Sequence, residues 1–206
     1  MNILFIVIGV LILWSVWGYF SSRVEQTDYS VTSRANGYEI RTYPAHLVAQ
    51  TTIQGSYDDA LREGFKIVAG YIFGGNVKKE SVAMTAPVTS EKAPSEKIAM
   101  TAPVTAREEQ GAHVISFGMP KNYTLETLPT PTDPRVTIVE VPTKKMAVLR
   151  FSWFANGARI QQMEQKLLSM LKRDNVEVLG NPQYAGYNAP WTPPWMTRNE
   201  VLVEIR

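Results

Sequence analysis

One phrase occurs twice. Val82-Ala83-Met84-Thr85-Ala86-Pro87-Val88-Thr89 returns sixteen residues later as Ile98-Ala99-Met100-Thr101-Ala102-Pro103-Val104-Thr105. The spacer between the copies is polar and carries Pro94. A segment, a turn and a copy of the segment predict two strands folded against each other. Pro87 and Pro103 each lack the N–H that a ladder needs. Their strands are therefore expected to bulge or to lie at an edge there.

The rest of the chain extends this pattern. Residues 38–43 and 46–53 read as strands around Pro44. Ser56 is a plausible N-cap, with Asp58 and Asp59 in the first turn, where the helix dipole favours anions. Ala60, Leu61, Phe65, Val68 and Ile72 follow at helical spacing, and Gly74-Gly75-Asn76 stops that helix. After the doubled phrase comes a strand over 112–119. A second pass gives strands over 136–141 and 146–153. A helix opening near Asn156 carries Ile160, Met163, Leu167, Met170 and Leu171 on one side. Strands over 175–179 and 201–205 close the chain. The expected fold is α+β: a distorted β-barrel of two similar strands-helix-strands halves, closed so as to remove exposed edges, with two flanking helices.

The first 22 residues contain no charged side chain, and residues 3–20 are nearly all apolar. About 20 apolar residues span a bilayer. Trp14, Trp17 and Tyr19 cluster at one end, as interfacial aromatics do. No basic residue precedes the run and no small-residue cleavage site follows it, which argues for a retained anchor over a cleaved signal. The expectation is a single-pass membrane protein with an anchor over 1–22, a tether over 23–37 and one folded domain over 38–206. Arg23 and Arg34 are too few to fix the side of the membrane.

Composition narrows the chemistry. Lys plus Arg is 21 against 19 for Asp plus Glu, so nothing drives the chain toward nucleic acid. There is no Cys, which removes disulfides, zinc thiolates, iron–sulfur clusters and thiolate-ligated haem. With only two histidines, His46 and His113, a multi-histidine metal site is not expected. No nucleophile elbow, zinc-protease or phosphate-loop motif occurs. The competing enzyme reading is a hydrolase on a GyrI-like small-molecule-binding fold, with Glu80, Glu140 or Glu200 as base. A third reading is an interaction module whose apolar cleft takes a peptide or lipid.

The doubled phrase resembles the paired signature of the SOUL haem-binding family. Residues 38–43, 56–65, 74–76, 186–188 and 198–201 match that family in the same order. The resemblance implies a haem- or tetrapyrrole-binding protein, for binding, buffering or delivery, with no common enzymatic reaction. It also implies haem lying against the first helix of the domain. Arg62 is then the cation that meets a propionate, with Lys66 a second, and Phe65 and Ala69 on the same helix face. Tyr187, Trp191 and Trp195 are expected to offer a second, flat apolar wall. Thr42 stands where some family members carry a histidine, so that iron ligand is missing. His46 is the weak remaining candidate, and haem is expected to be held mainly by burial of its faces and by propionate contacts.

Overall fold

The structure is a computed structural model that describes residues 2–21, 24–35, 37–79 and 94–206. The first copy of the doubled phrase and Pro87 lie outside the described residues. In chain order the elements are α1 (Asn2–Ser21), β1 (Glu25–Gln26), β2 (Ser30–Ala35), β3 (Tyr38–Tyr43), β4 (His46–Ile53), α2 (Tyr57–Ile72), β5 (Asn76–Val77), β6 (Thr101–Ala102), β7 (Val104–Glu109), β8 (Ala112–Gly118), β9 (Thr130–Pro131), β10 (Thr137–Val141), β11 (Lys144–Phe151), α3 (Gly157–Arg173), β12 (Gln183–Gly186), a 3-10 turn η1 (Pro194–Met196) and β13 (Asn199–Glu204). Pro103, joined to Ala102 by a cis peptide, separates β6 from β7.

The main sheet has nine strands in the order β10-β4-β8-β7-β12-β13-β11-β3-β2, and every pairing is antiparallel. The class is α+β, but the expected barrel is not formed. The physical reason is the pairing of β11. One of its edges is bonded to β13 and the other to β3, so it has no free ladder to offer β10. The sheet therefore stays open, with β10 and β2 at its edges.

The strands-helix-strands order recurs, and the two halves exchange strands. The first half donates β3 to the second half's β11, and the second half donates β10 to the first half's β4. Reading the sheet from β10 to β3 or from β3 to β10 gives the same succession of half-equivalent strands.

Strand alternation gives the sheet two buried faces. On one face α2 and α3 pack over the main core. Ala49, Ile115 and Phe117 meet Val68 and Ile72, while Ala147, Leu149, Val201 and Val203 belong to the same core as Ile160, Leu167 and Leu171. Gly64 lets α2 lie close to β8, because a Cβ there would clash with Ile115 Cγ1. α2 opens at Ser56, whose Oγ accepts from Asp59 N at 3.4 Å. It stops at Gly74, whose φ of +115° favours glycine. Asn76 then clamps the exit, donating to the carbonyls of Tyr71 and Glu96 at 2.8 Å each. α3 opens at Asn156, as expected, with Oδ1 accepting from Arg159 N at 3.0 Å.

Two N-terminal expectations change. The stretch expected to be a tether carries β1 and β2. β2 pairs with β3, and β1 pairs in parallel with β6. β2 is exposed from Ser30 to Arg34 on both faces, so no alternation betrays it. The expected membrane anchor is also corrected. Among the described residues no helix is long and apolar enough to cross a membrane. The aromatic end of α1 is engaged by protein. The Trp14 indole donates to the Trp191 carbonyl at 2.9 Å and its ring stands edge-on to Trp195 with centroids 5.4 Å apart.

Candidate functional site

The face of the sheet away from α2 and α3 is concave. Every strand from β10 to β11 in the sheet order lends it a side chain: Val139, Val48, Ser116, Thr105, Ala185, Leu202 and Met146. They line a groove of about 450 Å³. Its floor is largely apolar, completed by Tyr43, Val141 and Pro103. Its rim carries His46, Arg107 and Lys144 with several glutamates. Arg107 pairs with Glu109 at 3.1 Å, and Lys144 pairs with Glu204. Both pairs are solvent-accessible and so cost little to re-form around a ligand.

One end of this face is closed. Residues 24–29 strap across it, with Thr27 N donating to the Ala102 carbonyl at 2.9 Å and Tyr29 lying over the Arg41 guanidinium at 4.2 Å. Beneath the strap is a buried ionic network centred on Glu200, which is 0% exposed. Its carboxylate accepts from Arg41 at 2.9 and 3.2 Å, from Arg198 at 2.9 Å and from the Tyr187 hydroxyl at 2.8 Å. Arg41 also donates to Glu39 at 2.9 Å and to the Tyr43 hydroxyl at 3.2 Å. Burial opposes the Arg41 charge, but the Glu200 bonds and charge outweigh it and hold the guanidinium above its usual range. Burial, then the Glu200 charge, pushes the Tyr187 phenol well above the usual range, so it stays a neutral donor. Three separated pieces of sequence, 38–43, 187 and 198–200, thus meet in one closed network. Arg198, Asn199 and Glu200 thus fasten the structure through hydrogen bonds, Asn199 accepting from the Tyr184 hydroxyl at 2.7 Å and donating to the Trp153 carbonyl at 2.9 Å.

The sequence-derived site residues do not form one site. Arg62 and Lys66 line a depression beside α2 with Asp59, Glu63, Asp133 and Arg135. That depression is wider than the groove, about 710 Å³, but its lining is dominated by charge, with Ile67 and Tyr71 the large apolar contributors. Its cations already face carboxylates: Arg62 lies 3.8 Å from Asp59, and Arg135 2.7 Å from Asp133. Phe65 leans on Phe117 with centroids 5.2 Å apart, and Ala69 is buried. Tyr187 sits on the opposite side of the sheet, inside the Glu200 network. Trp191 and Trp195 lie at α1. Of the proposed bases, Glu200 spends its oxygens on the network, Glu140 is exposed on the groove rim, and Glu80 lies outside the described residues.

The histidines separate as well. His113 is buried on the helix-bearing side, edge-on to Tyr57 with centroids 5.4 Å apart. His46 lines the groove. Thr42 falls on the strand face opposite Tyr43 and its hydroxyl lies 3.2 Å from that of Thr32.

The groove was missed because no single motif carries it. A signal existed in β11 and β13. Met146 and Val148 alternate with Ala147 and Leu149, and Leu202 lies between Val201 and Val203, so both strand faces are apolar. A strand apolar on both sides has both sides covered, by protein or by a ligand.

Against known proteins, the model of the SOUL heme-binding protein family matches residues 24–204. The chain belongs to the SOUL family. This SOUL chain is 31% identical over 156 residues to human (Homo sapiens) Heme-binding protein 2, covering 74% of this chain and 71% of that protein. It is 28% identical over 163 residues to the Mus musculus Heme-binding protein 2, covering 78% and 75%. Among solved structures, the C-terminal domain of EcmrR superposes with a TM-score of 0.54 at 7% identity, covering 86% of this chain and 98% of that one. A hydrolase from Listeria innocua gives 0.51 at 9% identity, covering 85% and 94%. At such identities these two establish the shared fold of the SOUL chain and nothing about its chemistry.

Proposed function

We propose that this chain binds haem or a related tetrapyrrole, for binding, buffering or delivery, and that the macrocycle lies in the groove on the helix-free face. Family membership supports the ligand class. The observation that carries the location is the groove itself. It falls within the ~300–1,000 Å³ typical of small-molecule sites, with an apolar floor and a few polar groups at its rim. The residues present fit the group. Val48, Val139, Met146 and Leu202 offer apolar surface to a flat ring, and Arg107 and Lys144 offer cations to its carboxylates. When bound, haem supplies iron-centred ligand and electron chemistry. The protein's part is to exclude water from the ring and to hold its charged edge at the rim.

Titration of the full chain with haem tests this. Val139 is on β10, an edge strand, where a polar substitution spares the core. Val139→Asp places an unpaired charge against the ring and is expected to weaken binding at least about tenfold, or ~1.4 kcal/mol. Arg62→Ala and Phe65→Asp, on α2, are expected to bind like the parent. The reverse pattern would move the site to the helix and restore the location that the family resemblance implies.

A further inference from the structure

His46 is held in a single tautomer. Its Nδ1 lies 2.8 Å from the Pro44 carbonyl oxygen. A carbonyl oxygen only accepts, so in the neutral ring Nδ1 carries the proton and Nε2 keeps its lone pair. Metal-binding histidines are arranged this way, with the non-ligating nitrogen giving its proton to a carbonyl, carboxylate or water. The ring lines the groove at the start of β4, a strand bonded on one side to β10 and on the other to β8. The carbonyl that orients it belongs to a proline, whose fixed φ stiffens the turn between β3 and β4.

His113, Tyr187 and Tyr43 are engaged elsewhere. His113 is buried on the far face against Tyr57. The Tyr187 hydroxyl donates to Glu200, and the Tyr43 hydroxyl accepts from Arg41. The chain has no cysteine. Met146 lines the groove as a weaker, thioether donor.

We infer that His46 Nε2 is the axial ligand to the iron of a tetrapyrrole seated in the groove, an assignment that rests on the groove reading above. This differs from what sequence favours, where a lone histidine is a poor candidate.

The test uses the full chain, with ferric haem and iron-free protoporphyrin as paired probes. The parent is expected to bind both and to show with haem the absorption spectrum of a histidine-ligated iron, distinct from that of free haem. His46→Ala is expected to bind protoporphyrin like the parent, which also shows that the variant is folded. Its haem affinity is expected to fall at least about tenfold, the lower end for disrupted metal shells. The spectral signature of histidine ligation should vanish. A His46→Ala protein with the parent's haem spectrum and affinity overturns the ligation and leaves the groove standing. A parent that binds neither macrocycle overturns both, and unchanged binding of both macrocycles by Val139→Asp removes the groove.

Discussion

Glu200 is the residue on which the helix-free face depends most. It has no exposure, yet it is charged, and its desolvation is offset by two guanidinium groups and a phenol. Removing it would leave Arg41 and Arg198 buried beside each other. Glu200→Ala is therefore expected to cost about 3–5 kcal/mol, the range for breaking a buried ion pair. Urea unfolding measures this. The double variant Arg41→Met with Glu200→Leu is expected to recover part of the loss, since it removes a buried charge on each side. A loss under ~1 kcal/mol for Glu200→Ala would mean that the network is hydrated and contributes no more than a surface pair. At this scale the sequence pointed to the right residues but not to their partners. Arg41, Tyr187 and Glu200 stood inside family motifs. Their contact across 159 positions, from Arg41 to Glu200, is a product of the β3–β11–β13 neighbourhood.

At the level of elements, α3 carries a charge that works against folding. Burial, then the nearby Glu108 charge, raises the Glu164 carboxyl above its ordinary value of 4.5. A raised carboxyl prefers its proton in the folded state. The cost is thus fully present above the folded-state pKa and absent below the unfolded value. Between the two, the folded chain binds more protons than the unfolded chain, so stability falls as pH rises. Glu164→Gln is expected to raise the urea midpoint at pH 7 and to leave it unchanged below pH ~4, where the parent is also neutral. A variant that gains nothing at pH 7 would show that Glu164 reaches water. The helices themselves were legible. Their apolar spacing, the Ser56 and Asn156 caps and the Gly74 stop are local signals that tertiary context did not override. β12 was not legible, because four residues flanked by Gly, Pro and Asn give too short a pattern. Residues 175–179, expected as a strand, reduce to a single bridge from Val178 to Ile205.

For the whole molecule, strand exchange makes the two halves interdependent. A first-half fragment ending at Pro134 would lack β10 and β11, leaving β4 and β3 each without one of the two partners it holds in the full sheet. Such a fragment is expected not to unfold cooperatively on its own. Mixing it with the complementary fragment is expected to restore a cooperative urea transition and the protein's circular dichroism. Cooperative unfolding of the isolated first half would show that the exchanged strands are accessories. The groove depends on the same exchange, since its walls, β4 with β10 and β11 with β13, come from both halves.

The sequence by itself determined what local chemistry can determine: two capped amphipathic helices, most of the strands, the α+β class and membership of a haem-binding family. It could not determine closure. Whether a curved sheet becomes a barrel depends on which strand edges are still free, and β3 takes the edge of β11 that β10 would need. Nor could it gather the site. Val139, Val48, Met146 and Leu202 are ordinary strand residues until curvature turns them toward one groove. The tautomer of His46 likewise rests on how the chain turns at Pro44. Composition and spacing describe neighbours along the chain, whereas a concave surface is made by neighbours across it.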